Sequence, residues 1–238
     1  MKNFSKILFV FLGFMICNNM SGMNNNKSTD IMFNMSKKLT EEELTQFSIS
    51  SLYGELKYNN QLCLYYDLYL FDADEAAYWY MVGYENGDLT AAYTLGQYYS
   101  YSNKYRAFYL LKLCAENGIE DAKIVLKEEK LNFSQIDSNN YNSMVTSENI
   151  QFFKEGAYLG SKKAAIKLAE YYKTNNSEYV LSNTIERCID EYSYIYWLRI
   201  GAQNGNQECI KQYYELLKTS KNEYDNIRAQ FWERKIEK

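Results

Sequence analysis

The sequence predicts an all-α fold, an α/α solenoid of about four to five degenerate helix-turn-helix repeats. Three observations lead to this prediction. Apolar residues recur at spacings of three and four, as in AAIKLAEYYK and CIKQYYELLK, and almost no stretch alternates as a strand would. The 238 residues contain no proline, so the strongest helix breaker is missing. Four segments of the chain also carry the same residue types at the same relative positions.

The N-terminal residues are predicted to lie outside this array. Lys2 and Lys6 introduce the apolar run ILFVFLGFMIC, and a polar stretch follows. That order is typical of a secretory signal peptide, and the run is shorter than the roughly 20 residues of a membrane-spanning helix. We therefore assign 1–22 to a signal peptide and 23–38 to a flexible linker, and we expect the mature chain to have no membrane span.

Cys17 ends the apolar run and raises two alternatives to simple cleavage. A lipoprotein signal would end at Cys17 and leave a lipid anchor there, although FMIC lacks the small residue that this pattern places before the cysteine. The other alternative is a buried N-terminal helix. With either kind of signal the protein is expected to be exported, to the periplasm, the cell envelope or the medium.

The repeat domain is predicted over 39–238. Thr40 and Glu43 form a T-x-x-E capping box, so a helix is expected to begin directly after Thr40. Residues 39–75 would supply an N-terminal helix or a degraded first repeat. At the other end, NEYDNIRAQFWERKIEK predicts a single charged helix that caps the array.

Four glycines anchor the four similar segments. They are Gly87, Gly118, Gly160 and Gly205. Small residues stand four positions before and four positions after each anchor, and large, mostly apolar residues stand eight positions to either side. Three positions before the anchor the residue is alanine in all segments but the first, which has Tyr84. These structural positions include Trp79, Ala91, Leu95, Ala122, Leu126, Ala164, Leu168 and Trp197. A glycine ends a helix in the left-handed conformation at no steric cost, and alternating large and small residues let neighbouring helices interlock. Each segment therefore predicts a helix, a tight turn and a second helix.

Residues 76–99, AAYWYMVGYENGDLTAAYTLGQYY, resemble the Sel-one-like repeat, a relative of the tetratricopeptide repeat. The shared pattern is A-x-x-W-Y-x-x-[AG]-x-x-x-G-x-x-x-A-x-x-x-L-G-x-x-Y. The other segments keep the small and anchor positions, but the second has Lys127 and Lys130 where the first has Gly96 and Tyr99. The resemblance, to the exported bacterial type, covers roughly residues 60–238. It implies a concave surface lined by the first helix of each repeat.

The candidate partner-binding residues are the positions expected to be exposed on that concave surface. They are Tyr93, Gln97, Tyr101, Ile124, Glu128, Ile166, Glu170, Lys211 and Glu215. The recurring glutamates favour a helix or extended peptide that carries basic residues, and the tyrosines would act as aromatic anchors. An ordinary solvated helix face is the alternative interpretation.

The composition argues against several other functions. Histidine is absent, which removes the usual general base and the usual zinc ligand, and neither G-x-S-x-G nor S-x-x-K occurs. We predict no catalytic residues, no metal and no cofactor. The net charge of −4 argues against a nucleic-acid partner. In an exported chain Cys63, Cys114, Cys188 and Cys209 could form disulfides, but two of them stand at small positions of the repeat, which favours buried packing residues.

The sequence thus predicts an exported, non-enzymatic scaffold or adaptor that binds a protein or peptide partner on its concave face. One alternative is an immunity or inhibitor protein that occludes a toxin or an enzyme. A further alternative, implied by the resemblance alone, is a hydrolase of the β-lactamase-like, cysteine-rich repeat type. The cysteines of this chain do not recur at one fixed repeat position, which argues against it.

Overall fold

The computed structural model describes residues 38–129, 133, 138–175, 185–188 and 190–236. The predicted signal peptide with Cys17, and the linker before Lys38, lie outside the described residues. Within them every regular element is helical, which confirms the predicted all-α fold. None of the helices in this part of the chain is both long and apolar enough to cross a membrane.

Eleven α-helices follow one another along the described chain. They are α1 (Glu41–Tyr53), α2 (Leu56–Leu64), α3 (Ala73–Glu85), α4 (Leu89–Ser100), α5 (Lys104–Glu116), α6 (Glu120–Glu128), α7 (Ile150–Tyr158), α8 (Lys162–Asn175), α9 (Tyr194–Gln203), α10 (Gln207–Thr219) and α11 (Glu223–Glu233). A π-helical turn, Tyr65–Tyr69, extends α2, and a 3-10 turn, Ser138–Tyr141, precedes α7.

The predicted helix start and helix ends are confirmed. Thr40 caps α1: its hydroxyl accepts the Glu43 N–H at 3.1 Å, and its own N–H donates to the Glu43 carboxylate at 2.9 Å. At the first anchor, Gly87 has φ of 99° and the N–H of Asp88 donates to the Gly83 carbonyl at 2.9 Å. The same pattern, a Schellman motif, ends the first helix of the other three segments.

The small positions allow the close helix approaches that the sequence predicts. A methyl group on Gly83 would lie 2.7 Å from the Cβ of Ala91, and one on Gly201 would clash with the sulfur of Cys209. The large positions Trp79 and Trp197 are completely enclosed. Helices of one segment therefore interlock through small residues, and the indole rings fill the space further along.

One large position is occupied differently from the prediction. Phe152 stands eight positions before Gly160, as Trp79 and Trp197 stand before their anchor glycines, which predicts a buried ring. Its side chain is instead 44% exposed, and Phe153 is buried. The buried face of the short helix α7 is set by Phe153, Gly156 and Ala157. Phe152 lies beside that face and stacks on Tyr141, with ring centroids 4.8 Å apart.

Consecutive helices pack against each other, with two departures from a simple linear array. After α6 the chain returns, and α7 packs against α5. At the end of the chain, α11 packs against α10 and also against α1. The sequence predicts α11 as a cap with Phe231 and Trp232, and both side chains are buried. Its contact with α1 joins the two ends of the array.

Replacing Trp79 or Trp197 with alanine should each destabilise the fold by about 3–5 kcal/mol, because each change leaves a large cavity between interlocked helices. Phe152→Ala is the matched control, since this aromatic ring is largely exposed, and its effect should be much smaller. Chemical denaturation followed by circular dichroism gives the free energies of unfolding. Equal, small effects in all three variants would contradict the assignment of the large positions.

Candidate functional site

The predicted partner-binding residues lie on α4, α6, α8 and α10, except for Tyr101, which directly follows α4. Six of them are exposed: Tyr101, Ile124, Glu128, Glu170, Lys211 and Glu215. Gln97 and Ile166 are half-buried. Tyr93 is only 7% exposed, which corrects the expectation that its ring is an accessible anchor. The ring belongs to a buried cluster with Leu111 of α5 and Ala122 of α6, because these helices flank α4 on that side.

Side chains from segments that are distant in the sequence meet on helices other than those that carry most of these candidates. The polar side chains that bond between the two halves of the described chain come mainly from α3, α5, α9 and α11. These side chains are buried, so they fill the centre of the array. Three of these four helices, α3, α5 and α9, are the first helices of their segments, whereas the candidate partner-binding residues lie on or directly after the second helices.

Glu85, the last residue of α3, is the hub of the buried centre. Arg199 of α9 donates to both of its carboxylate oxygens, at 2.6 Å through Nε and 2.9 Å through Nη2. Arg228 of α11 and Gln203 of α9 each add a donor at 2.6 Å. Burial alone would raise the pKa of Glu85, but the two guanidinium groups lower it from 4.5 to about 2. The carboxylate is therefore ionised at neutral pH.

Arg228 extends this hub to the start of the chain. Its second terminal nitrogen donates to the Leu52 carbonyl of α1 and to the side-chain oxygen of Asn86, both at 2.9 Å. The Asn86 amide in turn donates to the Ser51 carbonyl at 2.8 Å. One guanidinium thus links α3, α11 and the C-terminal end of α1.

A second buried carboxylate anchors the segment before α9. Glu186 accepts a hydrogen bond from the Tyr78 hydroxyl and lies 3.6 Å from Nη2 of Arg199. Its burial raises its pKa, against the attraction of Arg199. Asp225 of α11 accepts the backbone N–H groups of Ile185 and Glu186 at 3.1 and 2.9 Å. Both halves of the chain are therefore bonded to this short segment.

Arg106 of α5 forms a third connection through the centre. It is buried and donates to the side-chain oxygens of Asn204 at 3.0 Å and Gln203 at 2.6 Å. Asn204 in turn contacts α7, because its amide donates to the Ala157 carbonyl at 2.8 Å. The guanidinium also lies 4.8 Å from the ring centroid of Tyr109. Helices α5, α7 and α9 are thereby tied together.

The cysteines of the described chain are buried free thiols. They are Cys63, Cys114, Cys188 and Cys209. The structure thus agrees with the interpretation as packing residues. Burial, with a nearby carboxylate, raises the pKa of Cys114 and of Cys209 to about 12, so neither sulfur is a thiolate at neutral pH. The described residues also contain no group of three or more acidic or sulfur ligands placed to hold a metal ion.

A polar cleft of about 460 Å³ opens between the α4–α5 turn, α7 and the segment before α9. Its lining consists of Ser100, Tyr101, Ser102, Asn103, Lys104, Tyr105, Gln151, Lys154, Tyr158 and Glu191. Tyr101, the one predicted partner-binding residue among them, is 67% exposed at its edge. Sequence reasoning missed the remaining residues, and the only local signal was the polar YSN turn that caps α5.

Lys154 of α7 lies in the cleft inside a set of aromatic rings. Its ammonium is 5.2 Å from the ring centroid of Tyr192, 5.7 Å from that of Tyr172 and 5.9 Å from that of Trp197. Its nitrogen is also 3.3 Å from one carboxylate oxygen of Glu191. Although burial lowers the pKa of Lys154, contacts with Tyr172 and Glu191 outweigh it and raise the pKa overall. The Lys154 ammonium is thus held in position and charged at neutral pH.

Comparison with protein-family models, with curated proteins and with solved structures finds no match for this chain. The resemblance to the Sel-one-like repeat therefore rests on the repeated positions in the sequence alone.

Glu85→Gln should destabilise the protein by about 3–5 kcal/mol at neutral pH, because Arg199 and Arg228 would lose the buried charge that they share. The folded-state pKa of Glu85 is lowered, so its ionic contribution is complete above its ordinary pKa of 4.5 and is lost as the pH falls toward 2. The stability gap between parent and variant should therefore narrow from about pH 5 downward. Urea unfolding across that range measures the gap.

Glu215→Gln is the control for this experiment, since Glu215 is exposed on α10. It removes the same charge and should change stability by no more than about 0.5 kcal/mol. If the difference in unfolding free energy between the parent protein and Glu85→Gln stays constant or widens on acidification, the ionised carboxylate does not hold the centre together.

Proposed function

We propose that this protein is an exported, non-enzymatic binding protein whose polar cleft receives a segment of a protein partner. The observation that carries the proposal is the exposed Tyr101 in the lining of a cleft whose other residues are tyrosine, serine, asparagine and glutamine, with two lysines and one glutamate. The predicted signal peptide supports a site of action outside the cytoplasm.

The lining of the cleft has the composition of protein-recognition surfaces. Tyrosine offers a large contact area that is apolar on its faces and polar at its hydroxyl, with few rotatable bonds to order on binding. Serine and asparagine offer hydrogen bonds that adapt to the partner. Tyr101, Tyr105 and Tyr158 line the cleft with Ser100, Ser102 and Asn103. Tyr192, largely exposed above Lys154, adds a further ring near its edge.

The walls of the cleft are also held in place before any partner arrives. Helix α5 contributes one wall, α7 another, and the segment that leads into α9 the third. The connection from Arg106 through Asn204 to Ala157 fixes these helices to one another. A preformed surface loses less conformational freedom on binding, which favours affinity.

Tyr101→Ala should weaken partner binding by about 2 kcal/mol or more, roughly 30-fold in Kd, if its ring is an anchor. Affinity capture with the full chain from native extracts identifies the partner, and calorimetry compares the variants. Tyr224→Ala is the matched control, since it removes an exposed tyrosine from α11, away from the cleft. An immunity or inhibitor role would be recognised by a partner whose own activity is blocked.

Charge reversal at Glu128 and Glu170 distinguishes binding in the cleft from binding to the face predicted on α6 and α8. Both side chains are exposed, so neither change should unfold the protein. If Glu128→Lys and Glu170→Lys abolish binding while Tyr101→Ala binds normally, the acidic face is the site and the cleft is not.

A further inference from the structure

We propose that the cleft recognises an acidic protein segment, through carboxylate side chains that pair with Lys104 and Lys154. This inference rests on the proposed binding function and specifies the chemistry of the partner. It reverses the charge expected from the sequence, where the recurring glutamates on other helices favoured a basic peptide.

The first argument is the local charge. The chain carries a net charge of −4, yet the charged residues that line the cleft are two lysines and one glutamate. The cleft also includes the first turn of α5, where the helix macrodipole contributes further positive potential. Because Lys154 and Glu191 form an ion pair, the net positive charge of the cleft comes from Lys104 and this helix end, and complementary charge selects a negative segment.

The second argument is that the one carboxylate of the cleft is already engaged. One oxygen of Glu191 lies 3.3 Å from the Lys154 nitrogen, and the other accepts a hydrogen bond from the Tyr158 hydroxyl at 3.0 Å. The Tyr158 oxygen in turn accepts from Tyr196 at 3.1 Å. An ammonium has three donor hydrogens. Lys154 directs two of them to Glu191 and Tyr172 and retains one, while the Lys104 ammonium, which lies against aromatic rings, offers its donors to an incoming acceptor. The charged groups of the cleft thus offer more donors than acceptors to a ligand.

The third argument is that aromatic rings hold both lysines. Lys154 has three rings within 5.9 Å and a side chain only 12% exposed. The Lys104 ammonium lies 5.5 Å from the ring centroid of Tyr105 and 5.9 Å from that of Phe133. A lysine on a free surface loses rotamer freedom when it pairs with a carboxylate. Here the rings have already restricted both side chains, so the pairing costs less entropy.

The test uses two defined probes, a random copolymer of glutamate and tyrosine and a random copolymer of lysine and tyrosine of equal length. Binding to the full chain is measured by fluorescence anisotropy at low and at physiological salt. The glutamate–tyrosine probe should bind, and Lys104→Glu should weaken it by about 10-fold, the loss of one charge-assisted hydrogen bond. Lys211→Glu, the same charge change at an exposed position on α10, should weaken it no more than about 2-fold.

Each other outcome overturns the inference. If the glutamate–tyrosine probe fails to bind, or if Lys104→Glu and Lys211→Glu weaken it equally, the cleft does not select acidic segments. A third outcome is that the lysine–tyrosine probe binds, that its binding depends on Tyr101, and that the glutamate–tyrosine probe does not bind. The cleft would then be a partner site that selects basic segments. The proposed binding function would survive that last result, and it would fall if Tyr101→Ala changed neither probe nor partner binding. Lys104 is exposed, so its substitution does not threaten the fold.

Discussion

The ionised carboxylate of Glu85 is the group on which the arrangement of the whole array depends. It is fully buried and shared by Arg199 and Arg228, which come from two later helices. Removing either kind of charge leaves the other uncompensated in a medium of low polarity, which is far more costly than losing a surface pair. If only part of this set of three charged groups were present, the helices would bury an uncompensated charge between them.

The sharing of Glu85 by Arg199 and Arg228 makes this array differ from an open solenoid in how its ends unfold. In an open solenoid each repeat contacts only its neighbours, so the ends unfold more easily than the middle. Here Arg228 also bonds to Leu52 at the end of α1, and α11 packs against α1. The terminal helices α1 and α11 are therefore coupled to the centre of the array. The hydrogen bond from Arg106 to Asn204 couples the walls of the cleft to the same centre.

The local features of the fold could be predicted from the sequence, because short-range rules produce them. The Thr40 cap, the glycine helix ends and the contact of Gly83 with Ala91 all follow from spacing. The closure of the array could not be predicted in this way, since Glu85, Arg199 and Arg228 look like ordinary helix-surface charges. For the same reason, the burial of Tyr93 and the assembly of the cleft from three distant segments became visible only in three dimensions. Of the predicted site residues, only Tyr101 lies at the cleft.

Native-state hydrogen exchange at increasing denaturant tests the coupling of the chain ends most directly. If Glu85 and Arg228 close the array, the amides of α1 and α11 should exchange only through the same global opening as those of α9, with similar opening free energies. In Arg228→Met, the two terminal helices should open separately and at lower free energy. Early, independent opening of α1 and α11 in the parent protein would contradict the account.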